Sequence, residues 1–188
     1  ASMFQSTRGK SRATFRAMLQ TGYCADGGIL LPTQMPYFSR ATLRSWQQLS
    51  FGELCFEILR LFCPNSVAEG GIEHERLREM CVEAHNSFDM RETINVVPLG
   101  EGVSIAELWH GPTLAFKDLA MQVMGRLLSY CVQVDGARNG SKKARCIIST
   151  TGDTGPAAMA ALANLPNVDV FVMYEKVRML ISHEQFFC

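Results

Sequence analysis

The sequence predicts an α/β fold in which a mostly helical N-terminal domain precedes a parallel βαβ sheet. Three observations support this prediction. Helical apolar spacing and helix N-caps recur before residue 95, a strongly apolar helical stretch occupies residues 119–134, and a strand–helix–strand pattern follows over residues 144–174. Because parallel strands need a crossover connection and such crossovers are right-handed, the last pattern predicts a right-handed parallel pair.

The N-terminal domain is predicted to span residues 1–94 and to consist mainly of helices. Each predicted helix carries apolar residues on one face, and two of them begin at recognisable caps. The four helices are expected over residues 11–20, after the N-cap Ser39, from the capping box Ser50-Phe51-Gly52-Glu53 to a stop at Pro64, and over residues 73–87.

The second domain is predicted to span residues 95–174 and to contain the sheet. β-branched runs indicate its strands, and apolar or alanine-rich runs indicate its helices. The expected elements are strands at 95–99 and 104–109, a helix at 119–134, a surface loop at 135–143, a buried strand at 144–150, a helix at 156–165 and a strand at 168–174. Residues 175–188 are predicted to form a separate tail.

The composition excludes several classes of function. Apolar residues make up 47% of the chain, and 18 basic residues balance 18 acidic ones, so nothing indicates binding to nucleic acid or an anionic membrane. No apolar run approaches the roughly 20 residues that span a bilayer, and no secretory signal is seen. The seven cysteines form no CxxC pair and show no metal-site spacing with the histidines, so we expect no metal and a reducing, cytoplasmic location.

The first candidate for chemistry is a lysine in the segment HGPTLAFKD, residues 110–118. Lys117 is flanked by Phe116 and Leu119 and lies where the long apolar helix is expected to begin. The positive end of the helix dipole and desolvation both disfavour a charged lysine, and a neutral amine attacks carbonyl carbons to form a Schiff base. The alternative is an ordinary solvated lysine at a helix start, with Asp118 as its ionic partner.

The second candidate is the segment STTGDTG, residues 149–155, between the buried strand and the alanine-rich helix. Ligands of open α/β sheets bind outside the carboxyl ends of the strands, and N–H groups at a helix start favour an anion. The glycines Gly152 and Gly155 let the backbone approach a ligand closely. The alternative is an ordinary strand-to-helix turn in which Asp153 or Thr154 caps the helix.

Together these segments resemble the signatures of the threonine synthase family and its animal threonine-synthase-like members. HGPTLAFKD matches the lysine motif of that family throughout, and TTGDTG matches its TSGDTG motif with Thr151 in place of serine. Two N-terminal segments, STRG at residues 6–9 and YCADGG at residues 23–28, resemble the family as well. The resemblance implies the N-terminal portion of a fold-type II enzyme that uses pyridoxal 5′-phosphate.

The resemblance also implies roles for residues. Lys117 would be the catalytic residue, holding the cofactor as a covalent internal aldimine and then moving protons at Cα and Cβ of the substrate. The implied substrate is a small phosphorylated amino acid such as O-phosphohomoserine, which would lose phosphate in a lyase reaction. The remaining implied roles are cofactor binding by Phe116, Gly152, Asp153, Thr154 and Gly155, and substrate carboxylate binding by Thr150 and Thr151.

The chain departs from the family after residue 174, and this leads to further expectations. The Gly-rich cup for the cofactor phosphate and the hydroxyl partner of the pyridine nitrogen have no counterpart in the sequence, so we expect a loosely held cofactor and activity impaired by truncation. The alternative is a truncated, alternatively spliced and inactive isoform that binds a partner, either intracellular or secreted without a signal peptide. An open sheet edge would also allow self-association.

Overall fold

A small antiparallel sheet opens the chain, and the sequence had not predicted it. The computed structural model describes residues 3–139 and 143–174, and the chain divides into two compact units, Ala1–Val82 and Glu83–Cys188. The division predicted at residue 95 stays a prediction, and the predicted tail at 175–188 lies outside the described residues. Among the described residues, no helix combines the length and apolarity needed to cross a membrane.

In the first unit, strand β1 (Phe4–Ser6) lies between β2 (Arg12–Ala13) and β3 (Leu30–Pro32), and both pairings are antiparallel. The helix expected over residues 11–20 is therefore shorter than predicted, and α1 covers Phe15–Leu19. Arg12 and Ala13 pair with β1 instead, and the Thr14 hydroxyl caps the helix by accepting the Ala17 N–H.

The next two helices of the first unit confirm the capping predictions. Ser39 caps α2 (Arg40–Ser45), and Ser50 with Glu53 forms the complete capping box of α3 (Phe51–Leu59), which ends before Pro64. Helix α4 covers His74–Ala84. The apolar interior of this unit is built from fully or almost fully buried side chains: Phe4, Phe15, Cys63, Ile72, Leu77, Met80 and Cys81.

In the second unit, β4 (Asn95–Gly100) and β5 (Val103–Glu107) form an antiparallel hairpin. The chain continues through α5 (Asp118–Asn139), β6 (Ala144–Thr150), α6 (Thr154–Leu162) and β7 (Val168–Tyr174). Strands β6 and β7 pair in parallel from Ala144↔Val168 to Thr150↔Tyr174, which confirms the predicted βαβ unit.

Two predictions for this unit were wrong in detail. Helix α5 runs to Asn139, so residues 135–139 are helical where a loop was expected, because no proline interrupts the helix. Strand β6 was expected to be buried, but burial alternates along it. Cys146 and Ile148 pack on the core of α6, whereas the Ile147 side chain is 69% exposed, because the helices cover one face of the two-stranded sheet.

Helices α5 and α6 approach each other closely. A Cβ atom built on Gly125 of α5 would lie 2.5 Å from the Ala161 carbonyl oxygen of α6, so only glycine permits this spacing. Leu162 and Val168 complete the core beneath the sheet. Helix α5 begins at the lysine motif and α6 begins at the STTGDTG motif, so this contact fixes the spacing of the two helices that start at the candidate motifs.

Candidate active site

The two motifs meet at the carboxyl end of the parallel strands. Lys117, the residue before α5, donates from Nζ to Asp153 Oδ1 at 2.6 Å, across 36 positions of sequence. The Lys117 side chain is 28% exposed and that of Asp153 43% exposed, so the pair lies at a surface that a small molecule can reach. A surface ion pair of this kind contributes little to stability, about 0–1 kcal/mol, so packing and not the pair maintains the fold here.

Asp118 is not the partner of Lys117, although the sequence had left that pairing open. Its carboxylate is fully buried and accepts hydrogen bonds from the Thr113 backbone N–H at 2.8 Å and the Thr113 hydroxyl at 2.9 and 3.0 Å. Asp118 is the first residue of α5, where a carboxylate faces the positive end of the helix dipole. It thereby ties the loop before Lys117 to the helix that follows.

The loop itself is tightly folded. A Cβ atom on Gly111 would lie 2.5 Å from the Asp118 Cβ, so this position admits only glycine. Leu114 has a positive φ of 59°, an unfavourable conformation for a branched side chain, and its side chain is 67% exposed. Such strain is typical of functional loops, and here it falls three residues before the lysine.

The loop after β6 is held by its own threonine. The Thr150 hydroxyl donates to the Gly152 carbonyl at 3.0 Å and accepts the Gly152 N–H at 3.1 Å. Thr150 is buried, whereas Thr151 is exposed beside it. Thr151 is therefore accessible from solvent, and the hydroxyl of Thr150 is engaged in shaping the turn.

Asp153 occupies the N-cap position of α6, but its side chain makes no capping hydrogen bond. The carboxylate turns to Lys117 instead, so the ordinary capping turn considered from the sequence does not form. Thr154 begins the helix and is half-buried, and Gly155 is buried in its first turn. The first N–H groups of the helix consequently lack a side-chain cap from Asp153 and remain suited to an anion.

Phe116 and His110 flank the loop. Lys117 Nζ lies 4.9 Å from the centroid of the Phe116 ring, and this ring is 58% exposed. His110 Nε2 is 2.9 Å from Glu107 Oε2, which also accepts from Asn95 at 3.0 Å. The hydrogen bond from His110, followed by that from Asn95, lowers the pKa of the Glu107 carboxyl below its ordinary value.

The chemistry of these groups fits pyridoxal phosphate. A primary amine suits the aldehyde of the cofactor, and the carboxylate beside it offers a second polar contact. A Cβ atom on Gly152 would meet nothing within 4 Å, so space is open next to the backbone of the loop. The residues that sequence reasoning missed are Asp118 as the buried anchor and Leu114 as the strained position. Nothing in the sequence around Asp118, a single aspartate next to Lys117, indicates that its carboxylate is buried.

Comparison with known proteins shows which enzymes this chain is similar to. The family model described as threonine synthase N terminus matches residues 3–85. Threonine synthase-like 2 of Mus musculus is 33% identical over 174 residues, which is 92% of this chain and 34% of that protein. Threonine synthase of Saccharomyces cerevisiae is 35% identical over 193 residues, 97% of this chain and 37% of that protein.

Solved structures give the same result. The pyridoxal-phosphate-bound threonine synthase from Brucella melitensis superposes with a TM-score of 0.86 at 30% identity, covering 99% of this chain and 38% of that one. The yeast enzyme also gives a TM-score of 0.86, at 34% identity and 98% and 38% coverage. The chain thus spans about a third of the length of the relatives it matches. It has the fold of the corresponding part of these enzymes, and in sequence and structure the chain is similar to that part of the threonine synthase family.

Proposed function

We propose that this chain contributes the lysine-bearing part of the active site of a pyridoxal-phosphate-dependent lyase that eliminates phosphate from O-phosphohomoserine-like amino acids. The observation that carries the proposal is the contact between Lys117 and Asp153 at 2.6 Å, at the carboxyl end of the parallel strands. This contact joins the two motifs on which the family resemblance rests.

Lys117 would hold the cofactor through its amine, with Asp153 facing the 3′-oxygen side and Phe116 beside the ring. When bound, the cofactor supplies an electron sink for the carbanion that forms at the substrate. Lys117 Nζ, once released, would take and return protons at Cα and Cβ, since a positioned amine is an effective general base.

The turn after β6 would bind the substrate carboxylate. Its donors are the N–H groups at the start of α6, around Gly152, Thr154 and Gly155, and the exposed hydroxyl of Thr151. Thr150 would act by shaping this turn, since its hydroxyl already bonds Gly152 at both N–H and carbonyl. Orientation of this kind is a large part of catalysis.

Because the chain spans about a third of the length of its relatives, the complete reaction is proposed only for this part of the fold together with the rest of such an enzyme. For the chain alone we propose weak retention of the cofactor, since the described site offers one amine, one carboxylate and the donors of one helix start. A cytoplasmic location belongs to the same proposal. The comparisons give no support to the partner-binding alternative.

The test is capture of the cofactor by one lysine. The purified chain is mixed with pyridoxal phosphate and reduced with borohydride, and the labelled peptide is identified by mass spectrometry. We expect stoichiometric label on Lys117, none after Lys117→Ala, and unchanged label after Lys143→Ala. Lys143 is a suitable control because it is paired with Asp169 at 2.8 Å on the surface of the same unit.

Labelling spread over several lysines, or surviving Lys117→Ala, would contradict the proposed site. Release of inorganic phosphate from O-phosphohomoserine then tests the substrate. If Lys117 is labelled but a complete enzyme containing this part releases no phosphate from O-phosphohomoserine, the proposed cofactor site stands and the proposed substrate is wrong.

A further inference from the structure

Two thiols of the first unit lie side by side. Cys55 of α3 and Cys81 of α4 are joined by a side-chain hydrogen bond. The two helices touch through their backbones, since a Cβ atom on Gly52 would lie 2.8 Å from the Val82 Cα and 2.9 Å from the Cys81 carbonyl oxygen. Gly52 and Cys55 are three positions apart and share one face of α3, so the close helix contact also brings the thiols together.

The two thiols differ in access and in acidity. Cys55 is partly exposed, whereas Cys81 is fully buried. The hydrogen bond from Cys81 lowers the pKa of the Cys55 thiol, and the same hydrogen bond together with burial raises the pKa of Cys81. Thiolates react with oxidants and thiols do not, so Cys55 is the sulfur that an oxidant reaches first.

A third cysteine is close by but is engaged elsewhere. Cys63 is 1% exposed, and its sulfur accepts the Ile72 N–H at 3.2 Å. Burial raises the pKa of Cys63 to about 11, so this thiol stays protonated at neutral pH. The pair at the α3–α4 contact is therefore the site at which a reversible two-thiol oxidation is favoured.

We propose that Cys55 and Cys81 form an oxidation site that peroxides convert to an intramolecular disulfide. The Cys55 thiolate attacks a peroxide oxygen and breaks the O–O bond, which gives a sulfenic acid and, from hydrogen peroxide, one water after protonation. The Cys81 sulfur then attacks the Cys55 sulfur, the S–O bond breaks, and a second water leaves with the Cys81 proton. The two thiols lose two electrons, and the peroxide gains them.

The close contact between α3 and α4 favours this product. A disulfide needs Cα atoms about 4.4–6.8 Å apart, a separation that helices reach only where their backbones nearly touch. The Gly52 contact supplies such a close approach one turn from Cys55. The linkage also restrains the unfolded chain, so the melting temperature of the oxidised protein is expected to rise.

The experiment treats the reduced chain with hydrogen peroxide, blocks the remaining thiols with N-ethylmaleimide and maps peptides without reduction. We expect the first product to be a Cys55–Cys81 linked peptide, with two thiols lost per chain and both restored by dithiothreitol. Cys24→Ala is the matched control because Cys24 is also a partly exposed free thiol, outside the pair. It should oxidise at the wild-type rate.

Two further variants keep the proposal open to contradiction. Cys55→Ala should form no early disulfide, with circular dichroism confirming that it is folded. In Cys81→Ser, which keeps a hydrogen-bond donor to Cys55 but has no sulfur, Cys55 should stop at the sulfenic acid, which dimedone traps. First links that involve Cys63, links between chains, or Cys55 over-oxidised in the wild type without a partner would each overturn the proposal.

Discussion

Asp118 is a fully buried carboxylate that serves the loop in front of it. Its bonds to the Thr113 N–H and hydroxyl fix the segment that leads to Lys117. The charge lies at the start of α5, so the helix dipole and two donors offset the cost of burial. A residue next to the catalytic candidate thus acts as its anchor and not as its partner.

Removing this anchor should cost stability. Asp118→Ala leaves the two donors of the half-buried Thr113 without their acceptor, and we expect the unfolding free energy to fall by about 1–3 kcal/mol in urea titrations. Asp169→Ala is the control, because this carboxylate pairs with Lys143 at the surface, where such pairs contribute about 0–1 kcal/mol. Equal effects of the two variants would count against a buried anchor.

Asp26 links the two N-terminal segments, residues 6–9 and 23–28, and should make the free energy of unfolding depend on pH in the acidic range. Its Oδ1 accepts from the Gly28 N–H at 2.9 Å and the Ser6 hydroxyl at 2.8 Å. The backbone bond to Gly28, and then the bond to Ser6, lower the pKa of Asp26 from its model-peptide value of 3.8. The charged form is therefore favoured in the folded state, and this contribution is present above about pH 4 and lost as the pH falls through the folded pKa.

Asp26→Asn keeps an acceptor but removes the charge. We expect it to be less stable than the wild type at pH 7, and the difference to shrink as urea titrations are repeated towards pH 3. A difference that stays constant over this range would show that the charge of Asp26 has no part in it.

At the scale of elements, the contact between α5 and α6 decides how the two motifs meet. Gly125 and the Ala161 carbonyl are so close that no side chain fits between them. Helix propensity alone favours alanine over glycine by about 1 kcal/mol, so the packing must outweigh the propensity here.

Gly125→Ala should therefore destabilise the protein despite the better helix former. We expect a loss of about 1–3 kcal/mol in unfolding free energy, since overpacked interiors shift their backbones. Met124→Ala, at a position that is 40% exposed, is the control and should change stability by less. A more stable Gly125→Ala protein would mean that the helices separate without cost.

Elements were predictable wherever local chemistry decides them. Ser39 and the Ser50–Glu53 box mark their helices because capping involves neighbours in sequence, and β-branched runs mark β6 and β7. Strand β2 was missed because two residues become a strand only through their partner β1, and the exposed face of β6 was missed because apolar runs do not reveal what covers them. The meeting of Lys117 with Asp153 was implied by the family resemblance, whereas the burial of Asp118 depends on the fold of a whole loop.

At the scale of the whole molecule, the sheet of the second unit keeps one apolar face open. Ile147 and Phe171 are partners across β6 and β7 and are 69% and 55% exposed, with Met173 at 56% beside them. Parallel sheets in folded proteins are usually covered on both faces. Such a face is a site of association, and a second copy of the chain is the partner we predict.

Light scattering over a range of concentrations checks this prediction. We expect the mean mass to rise with concentration, and Phe171→Lys to reduce the rise, whereas Met35→Lys, at a side chain that is 76% exposed in the first unit, leaves it unchanged. A wild-type chain that stays monomeric at high concentration would rule out self-association through this face.

The glycine contact between α5 and α6 has a mechanical consequence. Gly125 lies eight residues after Lys117, and Ala161 lies eight residues after Asp153, so each is about 12 Å along its helix from the reactive pair. Helices α5 and α6 are rigid over this equal length, begin at the Lys117–Asp153 pair and contact each other at Gly125 and Ala161. The backbone positions of Lys117 and Asp153 cannot move apart unless one of the helices bends or the contact between Gly125 and Ala161 opens. Substitutions at the Gly125–Ala161 contact should therefore alter the reactivity of Lys117, although these residues lie about 12 Å from it along the helices.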